Sequence, residues 1–270
     1  MLGGIAGSTI LLGLPIARIR QTRPEPRVAL AAVATGILVF LLWDVLTNGV
    51  EPVTSALDLH HWGTFSLRAA IMATGFALGL MGLVYYDSWM KSRRASPLVG
   101  PGAAAVDEFR PPRGVHALSP AHQLAVMIAT GIGIHNFGEG LAIGQSAAAG
   151  KVSLALVLII GFGLHNATEG FAVTGPLSHE ETLPSWRFLG LLGLLGGGPT
   201  FLGTVIGHTW VSPELEVFFF ALAAGSILYV VIELAAVCRR ASMPVLVGWM
   251  VLLGIALGFA TDFVLTAAGA

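Results

Sequence analysis

Charged residues are scarce in this sequence: they make up 11% of its 270 residues, against roughly 25% in an ordinary soluble domain. The 14 basic and 15 acidic side chains are too few to cover a water-soluble fold of this size, and the mean hydropathy is +0.81. The net charge of −1 also provides no basic face of the kind that neutralises phosphates in nucleic-acid-binding proteins. The composition therefore predicts an integral membrane protein with no nucleic-acid partner.

Cysteine is nearly absent as well, since Cys238 is the only one. A single cysteine excludes a disulfide framework, a cysteine-rich zinc module and a thiolate copper site. Glycine, in contrast, is abundant, with 35 residues. Because small residues let membrane helices approach one another, this abundance predicts closely packed transmembrane helices.

Eight apolar segments can be separated at clusters of charge and proline, and most reach the roughly 20 residues that cross a bilayer. They predict a single transmembrane domain over residues 1–270. A charged, proline-rich segment at about 87–119 is predicted to be a disordered cytoplasmic linker. The predicted spans 1 to 8 cover about 2–17, 28–47, 69–86, 121–149, 152–177, 188–211, 215–238 and 243–266.

The basic residues predict the orientation of these spans. When the segment after span 1 is placed in the cytoplasm, 12 of the 14 basic residues lie on the cytoplasmic side, and only Arg68 and Lys151 lie outside. This asymmetry is the one that the positive-inside rule describes. We therefore expect a multi-pass protein of the cell (inner) membrane with both termini outside.

Short matches predict that spans 1–3 are repeated as spans 6–8. In span 2, Asp44 follows Gly36 by eight residues, and in span 7 Glu233 follows Gly225 by the same distance. Because the two triplets cross the membrane in opposite directions, the repeat is inverted, an architecture typical of transporters. The weaker matches pair Gly75–Gly79 with Gly254–Gly258 and Gly7–Thr9 with Gly198–Thr200.

The strongest signal is the pattern His-Asn-x-x-Glu-Gly, which occurs on span 4 and again 30 residues later on span 5. Positions i and i+4 of an α-helix share a face and lie about 6 Å apart along the axis. Ionisable side chains at membrane depth indicate a functional site, and neither motif contains a Lys or Arg to neutralise them. The glycine after each glutamate is expected to let another helix approach closely. The predicted metal ligands are His135, Asn136, Glu139, His165, Asn166 and Glu169.

The donor atoms of these residues limit the choice of metal. Imidazole nitrogens with carboxylate and amide oxygens suit Zn²⁺, Fe²⁺ or Mn²⁺, and the lack of sulfur ligands argues against Cu⁺. Asp44 toward the outside and Glu233 toward the cytoplasm are candidates for carboxylates along an ion path; the alternative is that they only face lipid headgroups.

Three classes of function fit a buried metal site. The first is metal transport, in which the metal is the substrate and no catalytic residue or cofactor is needed. The second is an intramembrane metal-dependent hydrolase or oxidase that uses the same ligands, although the sequence has no His-Glu-x-x-His motif and no Ser/His/Asp arrangement. The third is a metal sensor or a structural membrane protein. The expected partners are divalent metal ions and the lipid bilayer. The sequence does not decide whether the protein forms a homodimer.

The paired motif, the eight spans and the long cytoplasmic segment after span 3 resemble the ZIP (Zrt/Irt-like protein) family of divalent-metal transporters. The resemblance covers essentially the whole chain. It implies an all-α membrane fold of eight helices in a 3+2+3 arrangement, with spans 1–3 and 6–8 as an inverted repeat around spans 4 and 5. It also implies one transport domain that moves zinc, or else iron or manganese, toward the cytoplasm. By position, the six predicted ligands match those of the family on spans 4 and 5.

Two departures from the family pattern concern the metal site. The family commonly has proline before the motif glutamate, where this chain has Gly138 and Thr168, so neither helix is forced to kink. Family members that hold two adjacent metals also carry a glutamate before a proline on span 6. Here Gly198 precedes Pro199. One metal per chain is therefore predicted.

Overall fold

The computed structural model describes residues 2–19, 24–92, 118–150, 152–180, 182–209 and 212–267, and within these ranges every regular element is a helix. The α-helices are α1 Leu2–Ser8, α2 Ile10–Gly13, α3 Pro24–Asp58, α4 Trp62–Ser92, α5 Pro120–Ala148, α6 Val152–Thr174, α7 Trp186–Thr209, α8 Pro213–Arg240 and α9 Pro244–Ala267. Short 3₁₀ helices follow α2 at Leu14–Arg18 and α6 at Gly175–His179.

Six of the described helices are long and apolar enough to cross a membrane: α3, α4, α5, α7, α8 and α9. The predicted all-helical fold is therefore confirmed, and the six helices support a multi-pass membrane protein. Predicted spans 2 to 8 each fall on one helix, from α3 to α9, but α6, on which span 5 falls, is not one of the six.

Proline marks the start of several helices, namely α3, α5, α8 and α9. The missing N–H of proline costs nothing at the first helical position, where that group has no partner within the helix. Ser119 also caps α5, because its hydroxyl accepts a hydrogen bond from the His122 backbone N–H at 3.3 Å. The segment boundaries predicted at proline clusters therefore lie close to the true ends of these helices.

Several helices extend beyond the apolar stretches that predicted them. The polar region between spans 2 and 3 is largely helical and is interrupted only by a turn at residues 59–61. Backbone hydrogen bonding continues through polar sequence there, since a helix does not need an apolar side chain at every turn. Similarly, α4 continues to Ser92, so the start of the predicted linker is helical, whereas residues 93–117 lie outside the described residues.

Span 1 differs most from its prediction, because it is divided into α1, α2 and a 3₁₀ helix. The Thr9 hydroxyl donates to the Ala6 carbonyl at 2.7 Å where α1 ends. Pro15 is the second residue of the 3₁₀ helix and has no N–H to continue the α-helical pattern. The apolar helical segment Leu2–Arg18 is consequently shorter than the six long helices.

Glycines bring α3 and α9 into backbone contact. A Cβ added at Gly36 would lie 2.2 Å from the Val251 carbonyl oxygen, and a Cβ added at Gly254 would lie 2.2 Å from the Val33 carbonyl oxygen. Real side chains do not fit at such distances, so the two helices depend on glycine at both positions.

The same form of contact joins α4 and α8. A Cβ at Gly79 would lie 2.0 Å from the Leu222 carbonyl oxygen, and one at Gly225 would lie 2.2 Å from the Phe76 carbonyl oxygen. In both helix pairs, each glycine faces the carbonyl group three residues before the glycine of the partner helix. The predicted close packing through glycine is thus confirmed for these pairs.

Candidate metal centre

The two motifs lie in the interior of the protein, on α5 and α6. His135 and Glu139 are each 3% exposed, and Asn136, Asn166 and Glu169 are fully buried. The side chain of His165 lies outside the described residues. Both helices run unbroken through the positions where the resembled family commonly has proline, Gly138 on α5 and Thr168 on α6.

The glycine of the first motif fixes the distance between α5 and α7. A Cβ at Gly140 would lie 2.2 Å from the Thr200 carbonyl oxygen, and one at Gly203 would lie 2.1 Å from the Phe137 carbonyl oxygen. Because α7 touches the α5 backbone at this level, its own backbone groups come within reach of the motif side chains.

The glycine of the second motif has the same role between α6 and α2. A Cβ at Gly170 would lie 2.5 Å from the Ile10 carbonyl oxygen, and one at Gly13 would lie 2.5 Å from the Ala167 carbonyl oxygen. The expectation that the glycine after each glutamate admits another helix is therefore confirmed on both helices.

The two asparagines are oriented by hydrogen bonds to backbone carbonyl groups. Asn136 Nδ2 donates to the Gly196 carbonyl oxygen on α7 at 3.0 Å and to Glu169 Oε2 at 3.1 Å. Asn166 Nδ2 donates to the Ala6 carbonyl oxygen on α1 at 3.1 Å. Since the amide nitrogen of each asparagine points toward a backbone carbonyl, the amide oxygen of the same side chain points away from that carbonyl.

Three buried oxygens of the motifs have no hydrogen-bond partner within the described part of the chain: Asn136 Oδ1, Asn166 Oδ1 and Glu139 Oε2. The other oxygen of Glu139 lies 3.2 Å from His135 Nε2. Burying a polar atom without a partner costs about 1–3 kcal/mol. Amide and ionised carboxylate oxygens accept and do not donate, so a cation is a suitable partner for each of them.

A ready-made metal cluster is nevertheless not present in the described residues, where no three His, Cys, Asp or Glu side chains lie together in a way that could hold a metal ion. His165 is outside that set because its side chain is not described, and two of the predicted ligands are amides. The ligand set therefore stays a prediction.

Asp44 on α3 is half-buried and lies near enough to the first motif that its charge acts on both His135 and Glu139. Its carboxylate also accepts a hydrogen bond from Asn48 Nδ2 at 3.3 Å. Asp44 therefore contributes negative potential to the centre itself, in addition to its predicted place toward the outside.

Glu233 on α8 lines a cavity of about 370 Å³ together with Asp87, Gln123 and Tyr229. The Tyr229 side chain is hydrogen-bonded to Asp87. Met127, also in the cavity wall, precedes the motif histidine of α5 by eight residues, or about 12 Å along the helix. The cavity thus approaches the motifs from the Glu233 side.

Asp87 and Tyr229 are polar residues of this cavity that sequence reasoning missed. Asp87 fell in the segment predicted as a linker, although it directly follows an apolar span and α4 continues through it. Continued helical periodicity was the signal that could have placed Asp87 on a helix.

On the opposite side of the centre, the ring of Phe220 covers Gly138. A Cβ at Gly138 would lie 3.4 Å from this ring, and a Cβ at Gly49 on α3 would lie 3.2 Å from Phe220 Cβ. Phe137 and Phe219 also pack together, with ring centroids 4.6 Å apart. Aromatic side chains therefore lie between α8 and its neighbours beyond the motifs, with Phe220 against α3 and α5 and Phe219 against α5.

The chain matches no model of a known protein family, and no curated protein is significantly similar to it. The resemblance to the ZIP family accordingly depends on the paired motif and on the arrangement of the apolar segments.

Proposed function

We propose that this protein transports a divalent metal cation, with zinc as the first choice and iron or manganese as alternatives, across the cell membrane toward the cytoplasm. The observation that carries the proposal is the pair of buried motifs, in which asparagine and glutamate oxygens without hydrogen-bond partners in the described residues lie on helices fixed by equivalent glycine contacts. The cation is the substrate in this proposal, so no chemical step is required of the protein.

The proposed architecture is eight spans in a 3+2+3 arrangement with an inverted repeat. The contacts of the two motifs support it, because they occur in equivalent pairs. Gly13 packs against the motif glycine of α6, and Gly203 packs in the same way against the motif glycine of α5. Gly13 and Gly203 are 190 residues apart in the sequence. Ala6 and Gly196 are also 190 residues apart, and they accept the hydrogen bonds of the two asparagines.

The outer helices make contacts of the same kind, and these contacts favour a different register for spans 3 and 8 from the one that the sequence match gave. The sequence match pairs Gly36 with Gly225, and these two glycines make contacts of the same form. Gly36 packs against Gly254 on α9, and Gly225 packs against Gly79 on α4. The sequence match had paired Gly254 with Gly75, which lies four residues before Gly79 on α4. Each of the two helices has a pair of glycines four residues apart, so sequence matching cannot choose between the two registers, and the backbone contacts support the pairing of Gly79 with Gly254.

Span 1 and span 6 meet each other through a reciprocal contact at Gly7 and Gly197. A Cβ on either glycine would lie 2.0 Å from the carbonyl oxygen of the other. Such a contact is what a two-fold relation produces where two equivalent helices cross. The sequence match had instead aligned Gly7 with Gly198, one residue further along.

A single bound cation per chain is the proposed stoichiometry. Gly198 offers no carboxylate at the place where span 6 supplies one in family members with two adjacent metals. Two divalent ions a few ångströms apart repel strongly in a low-dielectric interior, and Glu139 and Glu169 would be their only shared anionic ligands.

Metal uptake by reconstituted protein tests the proposal directly. Purified protein in liposomes should take up Zn²⁺ faster than empty liposomes, and a panel with Fe²⁺, Mn²⁺, Ca²⁺ and Mg²⁺ should show a preference for the first-row transition metals, because imidazole ligands favour them. Hydrolysis of the surrounding lipid, with no uptake of any divalent ion, would support the intramembrane enzyme in place of the transporter.

The orientation can be checked by single-cysteine labelling in a Cys238→Ser background. In intact cells, an impermeant thiol reagent should fail to label Ala105→Cys, since the segment between α4 and α5 is predicted to be cytoplasmic. It should label His61→Cys, because His61 is exposed in the turn between α3 and α4, which is predicted to lie outside. The reverse pattern would overturn the predicted orientation and the direction of transport.

A further inference from the structure

A second cavity, of about 330 Å³, lies between α3, α8 and α9 at the end of the bundle that is predicted to face the cytoplasm. Its inner wall consists of Thr35, Ala235 and Cys238, and its outer wall is formed by Val247 and Val251 on α9, among others. Thr35 Oγ1 and Cys238 Sγ lie 3.9 Å apart and interact with each other, so the polar atoms of the inner wall already have partners. The interior of the cavity is therefore apolar.

The mouth of this cavity carries a positive charge. Arg239 at the end of α8 and Ser242 in the following turn both line the cavity and are both exposed. None of the described lining residues is acidic, and no carboxylate of the described residues forms an ion pair with Arg239. An apolar interior with an exposed guanidinium at its rim suits a ligand with a hydrocarbon tail and an anionic head.

The cavity is also accessible from the hydrocarbon region of a membrane. Only 11% of the apolar stretch of α9 is buried, and Val245 and Trp249 near the cavity are 73% and 65% exposed. Tryptophan at this level is typical of a membrane interface, where headgroups begin. A lipid can therefore enter sideways, with its tail toward α9 and its phosphate near the turn between α8 and α9.

We propose that this cavity binds one anionic phospholipid of the cytoplasmic leaflet. Its phosphate lies at Arg239 and Ser242, and part of an acyl chain lies along Val247 and Val251. The net negative charge of the headgroup distinguishes this ligand from a zwitterionic lipid, whose ammonium group offsets the attraction of its phosphate to Arg239. The site lies apart from the metal centre and does not depend on metal transport.

Native mass spectrometry of the full-length protein with equal amounts of phosphatidylglycerol and phosphatidylcholine tests the proposal. The wild-type protein should retain one phosphatidylglycerol in preference to phosphatidylcholine by about fivefold, the effect expected from one cation at an anionic headgroup. Arg239→Gln should bring the ratio close to one. Arg240→Gln is the matched control, because it removes the same charge from the neighbouring residue, which lines the other cavity, and the preference should persist.

A second variant tests the apolar part of the site. A Cβ at Gly248 would have no neighbour within 4 Å, so Gly248→Leu should fold and fill the cavity, and retention of both lipids should fall. Equal retention of the two lipids by the wild type, or an equal loss of preference in both arginine variants, would overturn the proposal. Displacement of the lipid by millimolar inorganic phosphate would assign the site to free phosphate instead.

Discussion

Glu139→Gln or Glu169→Gln should reduce Zn²⁺ uptake by reconstituted protein by about two orders of magnitude or more. Each substitution keeps the size of the side chain but removes one of the two negative charges that the motifs offer to a divalent ion. A buried charge that loses its partner costs about 3–5 kcal/mol, which corresponds to roughly a factor of 10²–10⁴ in affinity. Initial rates of uptake in liposomes with matched protein content measure the effect.

Two carboxylates outside the motifs are the controls for this prediction. Glu233→Gln should lower the rate of uptake and leave the bound metal in place, because Glu233 lines the cavity and is not a predicted ligand. Asp44→Asn should lower the rate further, since the charge on Asp44 acts on His135 and Glu139. Near-normal uptake by both glutamine variants of the motifs, or complete loss of bound metal in Asp44→Asn, would contradict the ranking.

Gly203→Ala should strongly destabilise the protein although it adds a single methyl group. The added Cβ would lie 2.1 Å from the Phe137 carbonyl oxygen, so α5 and α7 would have to separate at the level of the first motif. Overpacking of this kind costs typically 1–3 kcal/mol and more where backbone atoms are involved. We expect a markedly lower melting temperature in detergent and a smaller monodisperse fraction on size-exclusion chromatography.

Gly190→Ala on the same helix is the matched control. A Cβ at Gly190 would have no neighbour within 4 Å, and alanine is favoured over glycine in a helix by about 1 kcal/mol. The control should therefore be neutral or slightly stabilising. If both variants melt at the same temperature, the close contact between α5 and α7 is not as the structure describes it.

Sequence patterns could predict the long helices and the burial of the motifs because each depends on local information. Apolar length locates one helix for each of the predicted spans 2 to 8, and prolines mark the starts of α3, α5, α8 and α9 within a few residues. The spacing of His135 and Glu139 places them on one helix face whatever the rest of the chain does. The contacts that orient Asn136 and Asn166 involve the backbone of α7 and α1, and no local pattern predicts which carbonyl a helix will present.

The errors have a similar physical origin. Gly75 and Gly79 are spaced in the same way as Gly254 and Gly258, and only the packing of one helix on another decides that Gly79 faces the Leu222 carbonyl and Gly254 the Val33 carbonyl. The interruption of span 1 near Thr9 depends on a hydroxyl that bonds to its own backbone, which hydropathy does not register.

The central claim is that the two motifs together hold one cation. The stoichiometry of tightly bound zinc tests this claim most directly. Purified protein can be dialysed to equilibrium against Zn²⁺ and analysed for metal and protein content. The account predicts one zinc per chain in the wild type and almost none in the Glu139→Gln, Glu169→Gln double variant. No tightly bound zinc in folded wild-type protein, or zinc retained by the double variant, would contradict it.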